Sequence, residues 1–183
     1  MASHLNVLVV PGLGGSGPEH WQTRWEHVHG YVRVEQREWD YPERALWIAE
    51  LERALAQRGG PCILVAHSLG CAVVAHFVRA AGPAVSRVCG ALLVAPADVE
   101  DPSRTPDVTR CFAPLPLERL PFPAIVIASA DDPFVSPERA KLFAERWGAA
   151  FEDFGDKGHI NADSKLGAWP EGHRFLEALT GRM

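Results

Sequence analysis

Apolar and polar positions along the 183 residues alternate between two kinds of segment. One is a short, nearly unbroken apolar run closed by glycine, proline or a polar cluster. The other is longer and repeats its apolar positions every three or four residues. Unbroken runs of about four to eight residues suit strands buried on both faces of a parallel sheet, and the longer periodic segments suit helices with one buried face. Runs of the first kind lie at 5–10, 62–66, 88–95, 124–129 and 150–154, while 32–36 alternates as a half-buried strand does. Between them the periodicity predicts a short helix opening at Glu19-His20-Trp21-Gln22, then one over 43–57 that carries Leu46, Ala49, Leu51, Ala54 and Leu55. Three more are expected: Leu69 to about Ala81, Pro137 to Trp147, and Pro170 to about Leu179.

Six strands alternating with helices predict an α/β fold, a three-layer αβα arrangement around a six-stranded parallel sheet, in one domain spanning 1–183. Residues 97–123 break the alternation with six prolines and little periodicity. A long irregular segment in a compact domain is often a lid or a substrate-facing cover, and otherwise a plain connector.

Composition narrows the functional classes. A net charge of −5, with 18 Lys and Arg scattered along the chain, offers no electrostatic footprint for nucleic acid or an anionic membrane. The first apolar run stops at Pro11, too short for a signal segment or a membrane span, so a cytoplasmic location is expected. Cys62, Cys71, Cys89 and Cys111 show no paired spacing and no clustered His, so buried reduced thiols are expected in place of a disulfide frame or metal site.

The candidate chemistry begins at Ala66-His67-Ser68-Leu69-Gly70, which joins a predicted strand to a predicted helix. It is close to G-x-S-x-G, the turn that lifts a serine hydroxyl above a parallel sheet, with Ala66 in place of the first glycine. Small residues two positions either side of the serine let strand and helix pass closely. A capping serine at an ordinary turn is the plain alternative. In open parallel sheets reactive groups gather beyond the carboxyl ends of the strands. Ser68 follows the third strand, Asp131 and Asp132 the fifth, and His159 the sixth, giving the chain order Ser, Asp, His of α/β-hydrolases.

A serine hydroxyl needs a base, and the base needs an orienting carboxylate. His159 would be that base. His67 adjoins the nucleophile but is expected to point away from its hydroxyl. Asp132, three residues before apolar Val135, is the preferred carboxylate, with Asp131 serving the turn. Backbone N–H groups of Leu69 and Leu13 are the candidate donors to an oxyanion. The rival reading is dinucleotide binding, since Gly12-x-Gly14-x-x-Gly17 follows the first strand, but Pro11 precedes it and no second cofactor signature accompanies it. No cofactor and no metal are expected.

Over nearly its whole length the chain resembles the small serine hydrolases of the RBBP9/YdeN family, in particular their bacterial, esterase-like members. The resemblance rests on Val10-Pro11-Gly12-Leu13-Gly14-Gly15-Ser16-Gly17 with His20-Trp21-Gln22, and on the elbow around Ser68. It extends to Asp131-Asp132-Pro133-Phe134, Gly158-His159-Ile160-Asn161 and Trp169-Pro170-Glu171-Gly172. It implies a minimal α/β-hydrolase fold lacking the first two strands, a Ser68-Asp132-His159 triad, and action on small esters. Candidates for lining the substrate site are His20, Trp21, Trp39 and Asn161, with Trp47 and Trp169 as well suited to packing. The expected partner is a small-molecule ester or amide, with the oligomeric state left open. An amidase or peptidase on the same triad, and a noncatalytic binding protein retaining the fold, are the alternatives.

Overall fold

A computed structural model describes residues 5–181. Its strands are β1 (Asn6–Val10), β2 (Val32–Arg33), β3 (Cys62–His67), β4 (Val88–Val94), β5 (Ala124–Ala128) and β6 (Ala150–Asp153). The α-helices are α1 (Trp21–His29), α2 (Arg44–Ala56), α3 (Leu69–Arg79), α4 (Pro137–Trp147) and α5 (Pro170–Thr180). All six strands pair in parallel, in the order β2-β1-β3-β4-β5-β6. This is the minimal α/β-hydrolase fold.

The unbroken apolar runs are explained by burial on both faces. Leu8, Val10, Leu64, Ala66, Leu93 and Val126 pack beneath α2, α3 and α4, while Ile63, Val65, Leu92, Val94, Ile125 and Ile127 pack beneath α1 and α5. Successive side chains of a strand point to opposite faces, so each strand feeds both layers. The chain leaves β1 for β2 at one edge, then returns to lay β3 on the other side of β1. That reversal opens a crevice at the carboxyl ends of β1 and β3, where open α/β sheets bind ligands.

Two expectations need correction. The strand predicted over 32–36 is only Val32–Arg33, because β2 pairs solely with the end of β1 and has no partner on its outer side. The cysteines are all free thiols, but only Cys62 and Cys71 are buried; Cys89 is half-buried and Cys111 exposed. Cys111 lies in the short 3₁₀ helix Asp107–Phe112, whose inward face is taken by Thr109 and Phe112.

Residues 97–123 form a fastened cover. Phe112, Leu115, Leu120 and Phe122 are buried in the core beneath them. Asp98, also buried, accepts from Arg139 Nε at 2.8 Å and Nη2 at 3.1 Å. Arg110 donates to the carbonyls of Val99 (2.6 Å) and Asp101 (3.1 Å), and His76 Nε2 donates to the carbonyl of Phe112 (2.7 Å). Among the described residues no helix is long and apolar enough to cross a membrane.

Candidate active site

Ser68 sits at the junction of β3 and α3 with φ 57° and ψ −123°. A non-glycine residue in such a region stores roughly 1–3 kcal/mol and persists only where its surroundings enforce it. Here the Ser68 N–H donates to the carbonyl of Val94 (3.0 Å), and the start of α3 at Gly70 is pressed against the end of β1 at Val10. A Cβ at Gly70 would lie 2.2 Å from the carbonyl oxygen of Val10, so only glycine allows that approach. Gly12 is similarly placed on the opposite side, where a Cβ would meet Ser68 Cβ at 2.8 Å and Leu69 N at 3.0 Å. Ala66 is fully buried in β3 and its methyl belongs to the core, so the alanine leaves the turn intact.

Ser68, His159 and Asp132 come together from three loops. His159 Nε2 lies 2.8 Å from Ser68 Oγ, and His159 Nδ1 lies 3.0 and 2.9 Å from the two Asp132 carboxylate oxygens. Asp132 is 4% exposed and His159 8%, so their contact is shielded from water. Asp132 Oδ1 also accepts from the Phe134 N–H at 2.8 Å. The Phe134 ring packs edge-on against His159 with centroids 4.5 Å apart. Asp131 turns the other way, accepting from Ser129 Oγ and the Gly158 N–H, both at 2.7 Å. Those bonds hold its carboxyl below the usual aspartate range, Ser129 contributing most.

Leu13 and Leu69 both border the cavity above Ser68. The Leu69 N–H belongs to the first turn of α3, where backbone donors have no partner within the helix. The Gly12–Gly17 loop is built around this turn and around Trp39: the Gly14 N–H donates to the Trp39 carbonyl at 3.0 Å, and Gly15 rests on the Trp39 ring. It does not open directly onto a helix, since α1 begins only at Trp21. The helix N-terminus that a pyrophosphate cradle requires is therefore displaced from the glycines.

The cavity measures about 400 Å³. Its walls include Leu13, Leu69, Ala97, Thr105, Thr109 and Phe134, and among the described residues no Asp, Glu, Lys or Arg side chain lines it. The cover thus supplies a wall of the cavity, in line with the covering reading of 97–123 that its length, prolines and lack of periodicity offered beside that of a plain connector. Of the proposed lining residues, His20 and Asn161 do border the cavity. Trp21 and Trp39 do not. Trp21 is drawn into the layer beneath α1 by Trp25 and Trp169, and Trp39 is covered by the glycine loop and Trp47. Trp47 and Trp169 are core residues.

His20 accepts from the Gln22 N–H through Nδ1 at 3.2 Å, capping α1. Burial lowers its pKa to about 3, with His159 and Arg33 adding to the effect. It is a neutral ring carrying its proton on Nε2, so the cavity wall stays uncharged.

A six-stranded parallel sheet with a strained serine turn at its topological switch, a histidine on the serine hydroxyl and an aspartate on the histidine define an α/β-hydrolase site. Residues 7–178 match the serine hydrolase family, and the chain belongs to it. Among solved structures, a YdeN-like hydrolase from Pectobacterium atrosepticum is 32% identical, with a TM-score of 0.84 over 97% of this chain and 91% of the other. The ydeN gene product of B. subtilis is 19% identical over 97% and 100%, with a TM-score of 0.75. A thermophilic esterase from Thermogutta terrifontis shares the fold at 15% identity, with a TM-score of 0.65 over 98% and 90%. No curated protein matches the chain.

Proposed function

We propose that this serine hydrolase cleaves small, uncharged carboxylic esters through an acyl-Ser68 intermediate, with His159 as base and Asp132 as its orienting carboxylate. The observation that carries the reading is the unbroken line from Ser68 Oγ to His159 Nε2 (2.8 Å) and from His159 Nδ1 to Asp132 (2.9 Å). A carboxylate only accepts, so Asp132 holds the imidazole proton on Nδ1 and leaves the Nε2 lone pair facing the serine. His159 then takes the Ser68 proton as oxygen attacks the ester carbonyl, and returns it to the departing alkoxide. Water repeats the sequence on the acyl-enzyme. The Leu13 and Leu69 N–H groups serve the oxyanion; each such donor is worth roughly a hundredfold to a thousandfold in rate.

Substrate class follows from the cavity. A volume of about 400 Å³ suits a short acyl group with a modest alcohol. Walls without a charged side chain offer no counter-ion, so a carboxylate or ammonium on the substrate would be desolvated without a partner. The fastened cover favours a preformed cavity over one made by closure.

A fluorophosphonate probe tests the reading directly. The native protein takes up one equivalent and Ser68→Ala takes up none; a folded native protein that stays unlabelled would sink the enzyme assignment. A panel of acyl esters of rising length, run beside matching short amides, should show turnover falling with length and with a charged acyl group. Amides outpacing esters would transfer the assignment to an amidase.

A further inference from the structure

The His159 loop is held in place from outside the triad. Its backbone is turned on both sides of the histidine, with φ +55° at Gly158 and +47° at Ile160. A positive φ at a β-branched residue such as Ile160 requires its surroundings to enforce it. Two buried side chains reach the carbonyls at this turn. His67 Nε2 donates to the carbonyl of His159 at 2.9 Å, and Trp21 Nε1 donates to the carbonyl of Ile160 at 2.7 Å. His67 is 4% exposed and Trp21 1%.

We infer that His67 and Trp21 are positioning residues for the base, clamping two consecutive carbonyls so that the His159 ring is presented to Ser68 at hydrogen-bonding distance. The clamp couples nucleophile and base through the elbow itself. His67 precedes Ser68 in the chain, so one dipeptide holds His159 twice, by its backbone through His67 and by its ring through Ser68 Oγ. The His67 ring also packs against the His159 ring, with centroids 4.8 Å apart. On its other side it meets His20 at 4.7 Å and Trp21 at 6.0 Å, so the donors support each other. His67 bonds a carbonyl, so its proton must be on Nε2, and burial keeps the ring neutral by holding its pKa well below the ordinary histidine range.

Trp21 thereby acquires a role different from lining the substrate site. The inference rests on the serine hydrolase reading, and its test separates the two. In the full chain, His67→Leu removes the donor and His67→Gln retains an N–H near the Nε2 position; Trp21→Phe removes the indole N–H and keeps an aromatic ring. Misplacing a reacting group by about 1 Å can cost roughly a hundredfold. On that scale, His67→Leu is expected to lower kcat on a short ester about 30- to 100-fold with KM changed less than about threefold. Trp21→Phe should lower kcat about tenfold, and His67→Gln should recover most of the His67→Leu loss. The downfield proton resonance of the His159–Asp132 bond should shift or broaden in His67→Leu and return in His67→Gln.

Unchanged kcat in His67→Leu and Trp21→Phe, both folded, overturns the clamp, as does a His67→Gln protein as impaired as His67→Leu. If His67→Leu does not fold, Trp21→Phe decides by the same kcat measurement. A native protein that neither labels with fluorophosphonate nor hydrolyses any ester defeats the hydrolase reading and the clamp with it. A labelled, active native protein with indifferent variants defeats the clamp alone.

Discussion

The two aspartates after β5 show how one residue's neighbours divide labour between chemically identical side chains. Asp132 is buried against His159, while Asp131 binds Ser129 and the peptide that precedes the histidine. Under the proposed mechanism Asp132→Asn should therefore lower kcat by about a thousandfold or more, since an amide can stabilise the wrong tautomer of His159. Asp131→Asn should cost far less, measurable by kcat on the same ester; the reverse ranking would reassign the triad. Gly70 makes a different point about single residues. Gly70→Ala would drive a methyl into the Val10 carbonyl, and destabilisation of about 3 kcal/mol or more is expected in urea unfolding. The sequence pattern called for a small residue there, but the 2.2 Å approach explains why alanine is not small enough, although it is tolerated at Ala66.

At the scale of elements, most of the architecture was legible because each strand and helix is specified by neighbours a few positions away. Helix α4 runs over Pro137–Trp147 as its periodicity predicts, opened by Ser136, whose Oγ accepts from the Arg139 N–H at 3.2 Å. Ser136→Ala should cost about 0.5–2 kcal/mol in thermal unfolding without changing turnover. That 97–123 could cover the site was one of two readings its length and prolines offered, but its order was not legible, since that comes from Asp98, Arg110 and buried aromatic residues meeting distant partners. The Asp98–Arg139 pair joins a buried carboxylate to a guanidinium about two-thirds buried. Asp98→Ala should destabilise the protein by roughly 2–3 kcal/mol, below the full cost of breaking a wholly buried pair. Limited proteolysis should then cut first within 97–113; resistance equal to the native protein would show that the pair does not fasten the cover.

For the whole molecule, the histidines make stability depend on acidity. Burial is the main cause that lowers the pKa of His20 (to about 3), His67 and His76 below the ordinary 6.5. The unfolded chain therefore binds protons that the folded chain refuses. Stability is complete above pH 6.5 and falls as the pH drops below it, by up to about 1.4 kcal/mol per pH unit for each deeply buried histidine. His76 contributes less, because its hydrogen bond to the Phe112 carbonyl favours the charged ring and partly offsets burial. Urea midpoints measured between pH 7.5 and 4.5 should fall with a slope approaching two protons or more, and His67→Gln should reduce that slope by close to one. A flat profile would contradict the burial of these rings.

The chain by itself determined most strand and helix positions, though not the extent of β2, together with the parallel sheet and the Ser, Asp, His order, because apolar periodicity and turn chemistry are local properties. It also placed Ser68, Asp132 and His159 on one edge, since every strand of a parallel sheet ends on the same side. Only the tertiary structure decided that His67 both borders the cavity and holds the His159 carbonyl, and that Trp21 supports the site without lining it. Trp21 and His20 are adjacent in sequence, yet one holds a carbonyl 139 residues away and the other faces the cavity. That outcome depends on where α1 lands against the carboxyl ends of the strands and on the turn at Ile160, contacts between segments distant in the chain that local periodicity does not encode.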